Sequence, residues 1–146
     1  MRKIRVATIY DLDQIEQIEK ASFKDPYPRS LLALLITLGK GLFLVAEEGR
    51  EIVGYIYGEV NGERGHLVSI AVSPNKRRKG VGSDLLKHLL EWFALKGVRE
   101  VYLEVEVCNR EAIRFYEKHG FKKLGVKKDY YGVGRDAYIY VKKLRG

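Results

Sequence analysis

Polar and apolar residues alternate at the start of the chain, and this alternation predicts a strand over residues 2–7. Thr8 and Asp11 then have the spacing of a capping box, the pattern that marks the first turn of a helix. Apolar residues recur at helical intervals after this cap and define one face of the predicted first helix: Leu12, Ile15, Ile18 and Ala21. The chain is therefore expected to begin with a strand and an amphipathic helix.

Residues 22–28 interrupt the helical pattern, because the two prolines among them cannot continue a helix. The next apolar run, Leu31–Leu38, predicts a short second helix. Three strands follow it, and Asn61-Gly62 between the last two is the strongest hairpin signal in the chain. The predicted bounds of these strands are Leu42–Glu47, Ile52–Val60 and Gly65–Val72.

The second half of the chain alternates helices with strands. An apolar stripe over residues 81–96 predicts a long helix, and Gly97 suits its C-terminal cap. A β-branched strand is predicted at Val98–Val107, and Asn109 is expected to cap a further helix that Gly120 ends. The two closing strands are predicted at Phe121–Lys128 and Ala137–Leu144.

This order of elements, β-α-α-β-β-β-α-β-α-β-β, predicts a single α+β domain over residues 1–146. The first strands are expected to pair as antiparallel hairpins. The crossover through the long helix then makes two strands parallel at the centre of a mixed sheet. We expect about seven strands and four helices in one sheet-based core.

A cationic, glycine-rich turn precedes the long helix. Four basic residues, Lys76–Lys79, stand directly before Gly80-Val81-Gly82. Helix N-termini present free backbone N–H groups and a positive dipole end, and glycine lets an anion come close to those amides. A solvated basic turn is the alternative, but the four cations favour a phosphate-binding cradle. The turn lacks the P-loop pattern and the third glycine of the dinucleotide fingerprint.

The segment Arg77-Arg-Lys-Gly-Val-Gly82 resembles the Arg/Gln-x-x-Gly-x-Gly/Ala signature of the GNAT family of N-acetyltransferases. The resemblance covers essentially the whole chain and is specific over residues 67–121. It implies a GNAT fold whose parallel strands splay around acetyl-CoA, with a bulged strand that holds the pantetheine arm and donates an N–H to the thioester carbonyl. The implied cofactor-binding residues are Ile70, Ala71, Val72, Arg77, Arg78, Lys79, Gly80, Val81, Gly82, Ser83, Asn109 and Tyr116.

Acetyl transfer from a thioester to an amine needs a proton donor for the departing thiolate. The run from Asn109 to Phe121 resembles the family segment Asn-x-x-Ala-x-x-Phe/Leu-Tyr-x-x-x-Gly-Phe. This resemblance implies that Asn109 contacts the cofactor arm and that the hydroxyl of Tyr116 reaches the thioester sulfur. A core tyrosine with a satisfied hydroxyl is the alternative for Tyr116.

Glu104 is the candidate catalytic base. Strand alternation places Val101, Leu103 and Val105 on one face and Glu104 on the other, where a carboxylate needs solvent or a partner. It resembles the glutamate that acts as base in ribosomal-protein N-acetyltransferases. A carboxylate of ordinary pKa is a weak base, so Glu104 is expected to work through a water or with a raised pKa. A salt bridge to a lysine or arginine is the alternative, and Glu106 is interpreted as a surface charge.

Two aromatic groups are candidates for binding the acceptor. Phe23, Pro26 and Tyr27 resemble the stretch with which N-terminal acetyltransferases hold a peptide's first residues, although two additional residues follow the phenylalanine. Tyr130 and Tyr131 resemble the paired tyrosines of that branch, which bind the substrate backbone. An aromatic lid over the core is the alternative for both groups.

Composition and charge narrow the classes of function. The chain carries a net charge of +8, which favours a polyanionic cofactor and permits binding to RNA or the ribosome. A single cysteine, Cys108, excludes an intrachain disulfide and suits a reducing cytoplasm; no neighbour is expected to activate it for covalent catalysis. The histidines are scattered, so no metal site is predicted, and no apolar run reaches the roughly 20 residues of a membrane span.

The sequence therefore predicts an acetyl-CoA-dependent N-acetyltransferase that acts by direct attack on protein N-terminal α-amino groups, such as those of a ribosomal protein or a nascent chain. The same enzyme class acting on a lysine side chain or a small-molecule amine remains an alternative. A basic RNA- or ribosome-binding module without catalysis is an alternative of another class. The matching expectations are a cytoplasmic monomer or weak homodimer that can associate with the ribosome, without a metal and away from membranes.

Overall fold

The computed structural model describes residues 1–144, which form one seven-stranded sheet and four α-helices. The strands are β1 (Arg2–Val6), β2 (Leu42–Glu48), β3 (Glu51–Asn61), β4 (Arg64–Val72), β5 (Glu100–Glu106), β6 (Lys122–Lys127) and β7 (Ala137–Lys143). The helices are α1 (Leu12–Ser22), α2 (Arg29–Leu38), α3 (Val81–Leu95) and α4 (Arg110–Lys118). The predicted order of elements and the α+β class are confirmed.

Two predicted starts differ from the structure by two residues: α2 begins at Arg29 rather than Leu31, and β5 begins at Glu100 rather than Val98. Gly97 has a left-handed backbone with φ of 80°, and the N–H of Val98 donates to the carbonyl of Phe93 at 3.0 Å. The backbone of Val98 thus closes the end of α3 instead of starting the strand. Its apolar side chain is buried, which explains why the pattern included it in the strand.

The sheet has the order β1-β2-β3-β4-β5-β7-β6, and β4–β5 is its parallel pair. The parallel ladder joins only residues 64–66 of β4 to residues 100–102 of β5, so the two strands separate beyond that point. In the same part of β4, Val68 is left without a partner on β3, because the register shifts between Tyr57 and Gly58. This is a β-bulge, which bends its strand. The splayed parallel pair that the family resemblance implied is therefore present.

Helices cover the two faces of the sheet unequally. The larger core packs α3 and the buried residues of α4 against one face, with Leu85, Leu89 and Phe93 fully buried. Burying each such side chain contributes roughly 1.5–3 kcal/mol. Gly58 and Gly65 make room for the α3 side, since a Cβ at either would lie 2.9 Å from the Phe93 ring. The smaller core packs α1 and α2 on the other face, and the side chains of β5 on that face stay half-exposed.

Candidate active site

A cleft of about 920 Å³ fills the opening between β4 and β5. Most of the residues that the sequence singled out line it, from elements far apart in the chain. They are Phe23, Tyr27, Ile70, Ala71, Val72, Arg77, Arg78, Gly80, Gly82, Ser83, Glu104, Asn109, Tyr116 and Tyr131. The four that do not line the cleft are Pro26, Lys79, Val81 and Tyr130.

The turn before α3 has the backbone of an anion cradle. Arg78 and Gly80 both have left-handed conformations, with φ of 63° and 85°, and successive N–H groups in such turns form anion-binding concavities. Gly80 is the N-cap of α3, and no side chain caps the first-turn amides. A Cβ on Gly82 would lie 3.3 Å from the Phe115 ring, so this glycine also lets α3 pack closely against α4. The amides of the turn therefore suit a phosphate group.

The four cations of this turn have different surroundings. Arg77 donates from Nε to the carbonyl of Val72 at 3.0 Å and from a terminal nitrogen to Ser22 Oγ at 3.2 Å, which ties β4 to α1. The side chain of Arg78 is 83% exposed, and its guanidinium lies 3.7 Å from Glu111. Lys76, the first of the four predicted cations, lines the cleft and pairs with Glu48 at 3.3 Å. Of the two predicted arginine ligands that line the cleft, Arg78 is thus the one whose side chain is freer to move toward an anion.

Tyr116 faces the cleft from α4. Its ring is buried, with edge-to-face contacts to Phe115 and Phe121. Burial alone raises the pKa of its hydroxyl well above the usual value, so the phenol stays protonated at any physiological pH. Within residues 1–144, every fully buried side-chain oxygen has a hydrogen-bond partner. No hydrogen bond contributes to the raised pKa of Tyr116, so its hydroxyl oxygen is not among the fully buried ones. The hydroxyl therefore opens to the cleft, where it can donate a proton.

Glu104 lies on the open side of β5, with its Oε1 2.7 Å from Nε2 of His66. Burial raises the pKa of Glu104, but the hydrogen bond and charge of His66, with the charge of Lys127, outweigh burial and hold it below its usual value. The imidazole of His66 stacks on Tyr102 at 4.5 Å, and the Arg64 guanidinium lies 4.2 Å from the centre of the Tyr102 ring. A raised pKa for Glu104 is therefore wrong, as is a lysine or arginine as its main partner.

Two loops flank the open side of the cleft: the α1–α2 loop (residues 23–28) and the β6–β7 loop (residues 128–136). Arg135 joins them, because its guanidinium donates to both carboxylate oxygens of Glu106 at 2.9 and 3.0 Å and also to Asp25. Glu106, interpreted as a surface charge, is thus a structural anchor. Asp25 is one of the two additional residues of the α1–α2 loop, and it connects that loop to the other.

Three tyrosines from these loops surround Glu104. Burial raises the pKa values of Tyr27 and Tyr131, and the charge of Glu104 raises both further. Tyr130 is 47% exposed, its ring meets that of Tyr131 edge-on at 4.9 Å, and burial and the Glu104 charge also raise its pKa. An amine that approaches Glu104 from the open side thus passes between aromatic rings.

A buried carboxylate fixes the α1–α2 loop. Glu19 on α1 is 2% exposed; its Oε2 accepts the backbone N–H of Tyr27 at 2.8 Å, and its Oε1 accepts the hydroxyl of Tyr55. The Tyr55 hydroxyl is also 3.3 Å from Ser69 Oγ, next to the bulge of β4. This chain of polar contacts connects the acceptor loop to the strand that lines the donor side of the cleft.

His66, Glu19 and Arg135 are site residues that sequence reasoning did not identify. His66 carries no local signal of this role, because the register that pairs it with Tyr102, two residues before Glu104 on the same face, is a property of the folded sheet. Glu19 follows Ile15 and Ile18 on the apolar stripe of α1, and a charge within such a stripe is a signal of a buried, paired carboxylate. Arg135 carries no local signal, because both of its partners are distant in sequence.

Two kinds of site are not found in the part of the chain that the structure describes. No group of three or more His, Cys, Asp or Glu side chains there is placed to hold a metal ion. The helices in the same residues are also too short or too polar to cross a membrane.

Comparisons with known proteins identify relatives over almost the full length. A family model described as the acetyltransferase (GNAT) family matches residues 12–121. An uncharacterised N-acetyltransferase of Methanocaldococcus jannaschii is 38% identical, over 96% of this chain and 90% of its own. An N-alpha-acetyltransferase of Sulfurisphaera tokodaii is also 38% identical, over 94% and 90%. The solved ribosomal-protein-S18-alanine N-acetyltransferase of Escherichia coli superposes with a TM-score of 0.89 and 26% identity, covering 100% of this chain and 96% of its own.

Proposed function

Because this chain belongs to the acetyltransferase (GNAT) family and is an N-acetyltransferase, we propose that it transfers the acetyl group of acetyl-CoA to the N-terminal α-amino group of a protein. The names of two relatives, an N-alpha-acetyltransferase and a ribosomal-protein-alanine N-acetyltransferase, support this class of acceptor. We further propose that the acceptors are ribosomal or nascent proteins in the cytoplasm and that the enzyme works there as a monomer or weak homodimer.

The observation that carries the α-amino assignment is the environment of Glu104. Its hydrogen bond to His66 holds its pKa below the usual value, so it is a weak base that cannot draw a proton from a lysine ammonium. The acceptor must then arrive already neutral. At pH 7 about 9% of an α-amino group of pKa 8 is neutral, against roughly 0.04% of a lysine of pKa 10.4. Without a strong base, and at equal reactivity of the neutral amines, α-amino groups are therefore favoured over lysine by about two orders of magnitude.

The residues of the cleft fit acetyl-CoA. The uncapped amides at the start of α3 and the side chain of Arg78 would hold the pyrophosphate, and the β5-facing edge of β4 around Ile70–Val72 would hold the pantetheine arm. Asn109 also lines the cleft, at the start of α4, although its side chain already caps the helix by accepting the Ala112 N–H at 3.2 Å. When bound, acetyl-CoA supplies the thioester carbonyl that the amine attacks.

Three side chains then take part in the proton transfers of the reaction. The neutral amine approaches between the tyrosines, and its nitrogen becomes strongly acidic once it bonds to carbon. At that stage even a carboxylate of low pKa accepts the proton, directly or through one water, so Glu104 suffices as the base. His66 stabilises the ionised form of Glu104 beforehand. Tyr116 donates its hydroxyl proton, or a hydrogen bond, to the departing thiolate.

A competition within one peptide tests the proposal. The substrate carries a free N-terminus and one internal lysine, and mass spectrometry of the product locates the acetyl group. We expect acetyl on the α-amino group, no turnover of the N-terminally blocked peptide, and a higher melting temperature with acetyl-CoA. Faster acetylation of the lysine, or of a small-molecule amine, would contradict the α-amino assignment and leave the acetyltransferase assignment intact.

A further inference from the structure

A second groove, of about 410 Å³, begins where the cleft ends, and Glu104 lines both. It runs over β5, β7 and β6, on the same face of the sheet where α1 packs against β3 and β4. Tyr102 and Ile139 form its floor, and Arg64 stands on one side. A chain segment that leaves the candidate active site along the sheet therefore enters this groove directly.

The strand register shows that the floor is open and apolar. Ile139 pairs with Glu104 on one side and with Gly125 on the other, so all three positions lie on the same face. Gly125 has no side chain, and a Cβ there would meet nothing within 4 Å. Leu124, at the register shift of the edge strand β6, is 67% exposed and also lines the groove. Extended polypeptide suits such a shallow apolar channel.

The positive charge of the groove is unequal on its two sides. Arg64 lies over Tyr102 on the β4 side, where it pairs with Glu100 at 3.3 Å, whereas the exposed Lys127 lines the β6 side. Lys122 is exposed on the same face as Lys127, because it pairs with Val141, which in turn pairs with Tyr102. The charge of Lys127 reaches Glu104, whose pKa it helps to lower. A ligand that lies between these cations gains from negative side chains.

We propose that this groove binds the acceptor polypeptide beyond its first few residues and favours acidic side chains there. The inference rests on the proposed function, since the occupant is the chain whose α-amino group is at Glu104. Terminal residues would be selected by the tyrosines of the two loops. The following residues, each advancing the chain by about 3.3–3.6 Å, would be selected by charge in the groove.

Peptides with the same first four residues and different later residues test this proposal, because their contacts with the two loops are identical. Glutamate, glutamine or lysine occupies the four positions that follow, and kcat/KM is measured for α-amino acetylation. We expect the glutamate peptide to exceed the glutamine peptide about 5- to 10-fold at low ionic strength and the lysine peptide to be the poorest. Salt near 0.5 M should remove most of the difference, because the Debye length shortens.

A charge-matched pair of variants locates the effect. In Lys122→Ser/Lys127→Ser, kcat/KM for the glutamate peptide should exceed that for the glutamine peptide by less than about 2-fold. Taking this ratio cancels any change in the chemical step, because both peptides share that step. The control Lys3→Ser/Lys87→Ser removes the same two charges from exposed positions on β1 and α3, and its ratio should match the wild type.

The outcomes separate the two proposals. Equal kcat/KM values for all peptides, or the same loss of ratio in both double variants, would overturn the groove and leave α-amino acetylation standing. Failure to acetylate any N-terminus would overturn the proposed function and, with it, the proposed occupant. Salt-sensitive binding of single-stranded RNA that only the Lys122→Ser/Lys127→Ser variant loses, without any peptide preference, would assign this face to nucleic acid instead.

Discussion

The half of the cleft that would bind acetyl-CoA (the donor half) and the half that would bind the acceptor (the acceptor half) differ in the groups that form them. On the donor side, β4, the turn and the start of α3 offer backbone groups, with left-handed residues at Arg78 and Gly80 and an uncapped helix end. On the acceptor side, long-range side-chain contacts hold the two loops in place, and the Asp25–Arg135 pair joins residues 110 positions apart. Donor recognition is thus local in sequence, whereas acceptor recognition depends on the whole fold.

This difference has a consequence for substitution. Backbone N–H groups survive any side-chain change that keeps the turn, so binding of acetyl-CoA should tolerate variation. The acceptor loops depend on a few ion pairs, so a single substitution can move them without unfolding the domain. Changes at the point where the halves meet, beside Glu104 and Tyr116, should affect chemistry rather than either binding step.

The largest effect is expected from Tyr116→Phe, at that meeting point. The variant removes one hydroxyl and keeps the ring, so kcat should fall about 10²-fold or more while the melting temperature and the affinity for acetyl-CoA stay near wild type. Steady-state kinetics and thermal shift measure both. The matched control is Tyr140→Phe, a buried tyrosine whose hydroxyl bonds to Glu117 and which does not line the cleft. Equal activities of the two variants would show that the Tyr116 hydroxyl takes no part in the chemical step and that the residue has a purely structural role.

Glu104→Gln should reduce kcat/KM by about 10- to 10²-fold near pH 7 and recover part of it toward pH 9. The direction of this pH dependence follows from the lowered pKa of Glu104, which keeps the wild-type carboxylate ionised throughout this range. The rise of wild-type activity with pH therefore reports deprotonation of the acceptor amine, of pKa near 8. Without the carboxylate, the reaction relies more on solvent base, which increases with pH. A pH profile of Glu100→Gln, on the same strand, serves as the control. A pH-independent loss would contradict the role of base.

Arg135→Met should raise the KM for the acceptor peptide about 10-fold, because it frees Asp25 and Glu106 and releases both loops. The KM for acetyl-CoA should stay within about 2-fold, since Arg135 contacts no part of the turn. Arg29→Met removes an arginine that also pairs with two carboxylates, but away from the cleft, and should leave both constants unchanged. A parallel rise in both KM values would contradict the conclusion that the two halves of the cleft bind their ligands independently.

The smallest effect is expected in the turn. Arg78→Ala should weaken acetyl-CoA binding about 5-fold, because a charge-assisted contact made by an exposed guanidinium is screened to about 1 kcal/mol. Binding of a pantetheine fragment without phosphates should not change. Arg77→Ala should instead lower the melting temperature, since it loses the bonds to Val72 and Ser22. Calorimetric titration with both ligands distinguishes the two variants, and equal losses for both ligands would remove the phosphate assignment.

The sequence sufficed for the fold because the apolar periods of α1, α3 and β5 directly record which faces are buried. It also sufficed for the turn, whose glycines and cations are contiguous. The surroundings of Glu104 could not be read from the sequence, because they depend on the register between β4 and β5. The role of Arg77 was equally hidden, since nothing local distinguishes an arginine that binds backbone from the exposed arginine beside it.

The most direct test is a crystal structure with coenzyme A joined through an acetyl bridge to the α-nitrogen of a peptide. We predict the pyrophosphate on the amides at the start of α3, the sulfur beside Tyr116, the α-nitrogen beside Glu104, and the peptide between the α1–α2 and β6–β7 loops. A peptide that leaves the cleft on the α3–α4 side, or a pyrophosphate away from the turn between residues 76 and 83, would contradict the division into a backbone-built donor half and a side-chain-built acceptor half.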